Sequence, residues 1–290
     1  MQSYIERSRQ IRNLSMPQEN KEHFYGQFRV NFLQIRELFA ENRAYLNDEV
    51  FTPLKDIDAI SEEKAQELLE LSDHLAYTET LEMVDVRLAF FIVNALEPYY
   101  EKRGNREKYI HCLFRREMLA YNVGQIFDRG RLTDALAGRY RGYILACAEK
   151  ASVFLDDVDG FAALPDKTQE ELLNIELFRA TGYERPYYDE PLILRQIGSY
   201  QRYIRRLLDP EIRKAAPNIK WDKQLYSAYT YLMAGQEFLD WHETPDFILR
   251  MLDDAGDQAL ALMKKNGTTS QRDPGAVLSS KKAIGFYRGT

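Results

Sequence analysis

The chain has 290 residues, 45% of them hydrophobic and 29% charged, with a formal net charge of −6. That length and apolar content suffice for a sizeable core in one large domain or two smaller ones. The mild acidity argues against wholesale binding to nucleic acid or an anionic membrane, and no run of residues is apolar for long enough to span a bilayer.

The first 22 residues are polar, contain no apolar core segment of the secretory kind, and read as a loose leader. From there on, apolar residues recur at helical spacing. Phe32, Leu33, Ile35, Leu38 and Phe39 open the first face, and Ala65, Leu68, Leu69 and Leu75 form the next. Ser61 precedes two glutamates that suit the positive end of a helix dipole. The stretch from Leu81 to Tyr100 is apolar almost throughout and predicts a buried helix.

"YYEKRGNREKYI", from Tyr99 to Ile110, predicts a tight turn at Gly104 between two helices. Leu96 and Tyr100 precede the turn, and Cys112 and Leu113 follow it facing the core. His111 sits about 100° around the helix from Cys112, so the pair is not aimed at one ligand. Glu107, one turn before His111, is placed to pair with it on the surface. Leu136, Tyr140, Tyr143, Ile144 and Cys147 give the next face.

In "FLDDVDGFAALPD", setting Gly160 at the sixth position of a calcium loop puts Leu155 at the first, where an oxygen ligand is required. The stretch therefore reads as a helix end and a solvated turn. Thr168 and Glu171 have capping-box spacing. Tyr183, Tyr187 and Tyr188 share a proline-containing loop.

Ile193, Ile197, Tyr200, Ile204 and Leu207 then fall at steps of three and four. Arg195, Arg202 and Arg206 lie on another side of the same helix and form the candidate partner-binding stripe, suited to an anion or an acidic partner. Leu225, Ala228, Tyr229 and Leu232 make a further face, with Trp221, Tyr226 and Tyr231 nearby. "WHETPD" places aspartate where a zinc-protease motif requires its second histidine, and reads instead as a cap at Thr244-Pro245. Phe247, Leu249, Leu252, Ala259 and Leu262 form the last long face.

His23, His74, His111 and His242 sit in separate segments, and Cys112 and Cys147 have no ligand-like spacing. No phosphate loop and no nucleophile elbow occurs. The reading assigns no catalytic, cofactor-binding or metal-binding residue, and cysteine usage fits a reduced, cytoplasmic chain.

The breaks at Gly104-Asn105, Gly130, Asp159-Gly160, Gly182, Pro217-Asn218 and Asn266-Gly267 predict about ten helices. The expected fold is all-α: a single helical-repeat domain over residues 23–290, arranged as a degenerate TPR-like array of hairpins, an alpha solenoid. Ala283, Ile284, Phe286 and Tyr287 begin an apolar segment just before Thr290, which fits a chain truncated at its C-terminus.

"ELFAENRAYLNDEVFTPLKDIDAI" (Glu37 to Ile60), "NIKWDKQLYSAY" (Asn218 to Tyr229) and "KKAIGFYRGT" at the C-terminus resemble the helical N-terminal region of certain bacterial signalling proteins. In that group the region precedes a diguanylate cyclase (GGDEF-type) or related output domain. The resemblance implies a non-catalytic sensory or protein-interaction region. Its partners would be a protein, a small molecule or peptide, or the attached output domain, with no part for nucleic acid, membrane or cofactor. An α-helical enzyme with an interior site and a plain scaffold stay open beside it.

Overall fold

The computed structural model describes residues 46–76, 83–128, 134–183, 189–234, 244–266, 277 and 280–285. Among them no strand occurs, and the fold is all-α. After a π-helical turn at Leu46–Phe51, the α-helices are α1 (Thr52–Lys55), α2 (Glu62–Ala76), α3 (Met83–Lys102), α4 (Arg106–Asp128), α5 (Asp134–Asp156), α6 (Val158–Ala162), α7 (Asp166–Phe178), α8 (Glu190–Leu208), α9 (Pro210–Ala215), α10 (Trp221–Ala234) and α11 (Asp246–Asn266). Short 3-10 turns fill Ile57–Ala59 and Arg179–Tyr183. The 1–22 leader, the Phe32–Phe39 face, Gly130, Tyr187 and Tyr188 lie outside the described residues. The chain divides into two compact units, Met1–Arg115 and Arg116–Thr290.

In the first unit, α2 packs along α3. Ala65, Leu68, Leu69 and Leu75 of α2 are buried, as their spacing predicts. They meet a helix whose Val86, Ala89, Ile92, Val93, Leu96 and Tyr100 are wholly enclosed. The α3 helix is not buried all round, because Phe91 is 47% exposed and Pro98 also faces out. A proline on the solvent side removes one helix hydrogen bond where water can take its place. Ser61 caps α2 by accepting from the Lys64 amide at 3.1 Å.

The Gly104 turn follows from backbone chemistry. Gly104 has φ 67°, a region that costs a residue with a Cβ but not glycine. The Gly104 amide bonds Glu101 O and the Asn105 amide bonds Tyr100 O, both at 3.1 Å, the paired closure of a Schellman motif. Asn105 then starts α4 by accepting from the Lys108 amide at 3.2 Å.

In the second unit, α5 packs on α7, α8 on α10, and α10 on α11. The face forecast for α8 is buried at Ile197, Tyr200, Ile204 and Leu207, and its N-terminus is capped by Asp189, which accepts from the Leu192 amide. Leu225, Ala228 and Leu232 face inward from α10, and Leu249, Leu252 and Ala259 from α11. Phe247 is 51% exposed, against expectation, because Ile248 takes the inward position at that turn.

Two boundaries differ from the spacing. The Thr168–Glu171 box does not start α7: the helix begins at Asp166 after Pro165, and Thr168 is buried in its first turn. The break at Asp159-Gly160 falls two residues earlier, where Asp157 caps α6 by accepting from the Gly160 amide at 3.0 Å. A side chain at 160 would collide with that carboxylate.

Gly104→Ala should destabilise the chain by about 1 kcal/mol, the strain of placing a Cβ in the left-handed region. Chemical denaturation of the two proteins measures it. Equal stability would mean that the turn relaxes without glycine.

Candidate functional site

The histidine and cysteine of the Gly104 hairpin part company. Cys112 is fully buried and forms no disulfide. His111 is also buried, at 7% exposure, and does not pair with Glu107 on the surface. Its Nε2 lies 2.9 and 3.0 Å from the two Asp73 carboxylate oxygens, reaching from α4 to α2. An ionised carboxylate only accepts, so Nε2 carries the proton. Arg115, one turn further along α4, donates from Nε to Asp73 Oδ1 at 2.6 Å. Burial works to raise the Asp73 carboxyl. The hydrogen bond and charge of His111, together with the Arg115 guanidinium, outweigh it and hold the carboxyl below its ordinary value. The cluster clamps α2 to α4 within the first unit.

The second unit holds a more deeply buried set of charges. Glu176, on α7, has a side chain with no solvent exposure. Its Oε2 accepts from Arg179 Nε at 3.1 Å. Its Oε1 accepts from Arg202 Nε at 3.0 Å and Nη2 at 2.7 Å. Arg179 also donates from Nη2 to the Ala148 carbonyl at 2.6 Å and to the Ser152 hydroxyl, both on α5. One carboxylate therefore ties α7, α8 and α5 together. Beside it, Phe178 sits between the rings of Tyr121 and Tyr231, at centroid distances of 5.4 and 5.7 Å.

Glu117, on α4, is fully buried, and neither of its carboxyl oxygens has a hydrogen-bond partner. Burial raises its pKa well above the usual carboxyl range, the nearby Glu176 charge adds to the rise, and Arg179 offsets part of it. Burial also raises the Tyr203 hydroxyl, again with a contribution from Glu176.

The three arginines of the candidate stripe separate by environment. Arg195 is exposed. Arg202 is exposed over 44% of its side chain but reaches in to the enclosed Glu176, and Arg206 donates from Nη2 to Asp156 Oδ1 of α5 at 2.6 Å with only 13% of its side chain exposed. The stripe is thus not a wholly solvated face, because two of its three charges already serve contacts inside the unit. Spacing along one helix places a charge on a side. It cannot say which acid from another helix meets it there.

Of the four histidines, His74 and His111 fall on α2 and α4, while His23 and His242 lie outside the described residues. Among the described residues no group of three His, Cys, Asp or Glu side chains is placed to hold a metal ion, and no helix is long and apolar enough to cross a membrane. Sequence reasoning missed Asp73, Glu117, Glu176 and Arg179. Their only local signal is a charged residue on an otherwise inward-facing position. Glu117 and Glu176 fall at such positions, close to Leu119 and Leu177, which are both buried.

Charge reversal distinguishes the arginines. Arg195→Glu should melt like the parent, as exposed charges contribute little. Arg202→Glu should cost on the order of 2 kcal/mol, since it sets a second negative charge against an enclosed carboxylate. Thermal melts of both variants measure the contrast, and equal melting temperatures would deny Arg202 its part in holding Glu176.

Asp73 gives a pH-dependent test. Because its folded pKa is depressed, the stability it contributes is fully present above about pH 4. It is lost as the pH falls through the folded value. Asp73→Asn should therefore be less stable than the parent at neutral pH, with the difference shrinking in acid. Melts taken from pH 7 down to pH 2 would show a constant gap if Asp73 were not ionised in the fold.

No family model, curated protein or solved structure matches the chain.

Proposed function

We propose that this chain is a non-catalytic, cytoplasmic sensory or protein-interaction region of a signalling protein, and that it regulates an output domain of diguanylate cyclase or related type lying beyond the chain. The observation that carries this reading is the packing of sequence-adjacent helices on one another, α2 on α3 and α10 on α11. That is the unit from which a degenerate TPR-like array of hairpins is built. In such an array a protein, peptide or small ligand held between hairpins shifts their relative orientation, and the shift passes to the attached module. The sequence resemblance to helical regions that precede GGDEF-type domains supports the same assignment.

One observation favours an α-helical enzyme instead. Glu117 has the raised pKa of a general acid. A general acid must reach a substrate atom, however, and Glu117 has no solvent exposure. The regulatory reading is therefore preferred. Within it, Arg195 is the member of the stripe most open to an acidic partner.

Two measurements test the proposal. The coding sequence after Thr290 should continue into an output-domain signature, and a stop codon there would sink the assignment. In the full-length protein, Arg195→Glu should leave the melting temperature unchanged while reducing partner binding or cyclic-dinucleotide output, with the parent interaction weakening as salt rises. Normal binding by the reversed variant would leave Arg195 as ordinary wet surface.

A further inference from the structure

Among the described residues of the second unit, Glu117 is the enclosed carboxyl that the ion pairs leave unmatched. It projects from α4 with no exposed surface, and neither oxygen is hydrogen-bonded. The cations nearest in the network are engaged elsewhere. Arg179, at the C-terminus of α7, divides its donors between Glu176, Ala148 O and Ser152. Arg202, on α8, gives both of its recorded bonds to Glu176. Behind Glu176 lies Tyr203, whose hydroxyl donates to Gln224 on α10 at 3.1 Å. Glu117 therefore faces a negative neighbour, Glu176, whose charge is already matched, and a positive one, Arg179, whose Nε and Nη2 already serve Glu176 and α5.

An ionised carboxylate in that position would lose its hydration and gain no bond in return, a cost that a buried acid ordinarily avoids by keeping its proton. We propose that Glu117 enters the folded second unit as the neutral acid, which makes folding of that unit a proton-uptake reaction and the unit a pH-responsive element that loosens as the solution turns alkaline. The balance is simple. The unfolded chain exposes Glu117 to water as a carboxylate at neutral pH; on folding it binds one proton from solvent, and on unfolding it returns that proton.

The direction follows from linkage. With the folded pKa raised, the folded state holds more protons than the unfolded state between the ordinary carboxyl range and the raised value. Stability at this site is then complete below about pH 4.5 and falls as the pH rises through the window. This inference does not depend on the signalling assignment, and it can fail or hold without it.

Both tryptophans, Trp221 and Trp241, belong to the second unit, so tryptophan fluorescence follows its unfolding in the intact chain. Denaturant melts of the parent and of Glu117→Gln from pH 4.5 to pH 9 are the test. The two should be about equally stable at pH 4.5, and the variant should be the more stable at pH 8. The dependence of stability on pH should differ between them by close to one proton. Parallel curves, or a variant weaker by the same margin at every pH, would overturn the proposal. The parent alone supplies a second reading should the variant fail to fold. An infrared band of a protonated carboxylic acid should be present in the folded protein at pH 7 and vanish on unfolding. Its absence would overturn the proposal equally.

Discussion

The second unit is organised around a carboxylate that has no water. Glu176 is enclosed on α7, and an enclosed negative charge persists only where matched donors replace its hydration. Arg202 from α8 and Arg179 from the end of α7 supply them. Arg179 also donates from Nη2 to α5, at Ala148 O and Ser152. The helices around Glu176 are therefore positioned by hydrogen-bond direction as well as by apolar contact. Apolar contact alone tolerates sliding by a fraction of a turn; a guanidinium held at 2.7 Å does not. The same arrangement explains Glu117. With both arginines bonded to Glu176, the next carboxyl along is left without a hydrogen bond, and burial together with the Glu176 charge raises it against the partial offset of Arg179.

The first unit solves a similar problem with a half-open site. Asp73 keeps 30% of its side chain exposed while His111 and Arg115 are nearly enclosed. Water can reach part of the carboxylate, and both partners approach along α4 from consecutive turns. The Asp73 carboxyl is accordingly held low, whereas the Glu117 carboxyl is held high. Two acids of nearly equal intrinsic strength move in opposite directions, because one is met by donors and the other is met by burial and a like charge.

Much of the helical framework was legible in local spacing. The inward faces of α2, α8, α10 and α11 are largely where periodicity puts them, though Phe247 is exposed and Ile193, Tyr229 and Leu262 are only part-buried, and the Gly104 turn closes as "KRGN" suggests. These features depend on residues within a turn or two of one another. The charge clusters were not legible, because their members come together from distant parts of the chain: Asp73 with His111, Glu176 with Arg202, Asp156 with Arg206. Spacing put Arg202 and Arg206 on one side of their helix but could not name the partner of either. The error at His111 was of this kind. A glutamate four residues away offers a surface pair, but the ring turns toward a helix that local spacing does not see.

That distinction bears on where a signal could move through the second unit. A helix array relays a change in orientation only through interfaces that have alternative arrangements. The contact of α8 with α7 is a poor candidate. A shift of one turn would take Arg202 off Glu176 and leave a charge buried with half its donors, a loss on the order of several kcal/mol. The contact of α10 with α11 is different in kind. Its interior is Leu225, Ala228, Leu232, Leu249 and Leu252, and the ion pair recorded across it, Lys265 with Asp222, lies near the surface with the lysine largely exposed. Sliding there exchanges one apolar contact for another and breaks a pair that water can replace. Movement within this unit should therefore concentrate at the α10–α11 packing while α5, α7 and α8 stay together around Glu176.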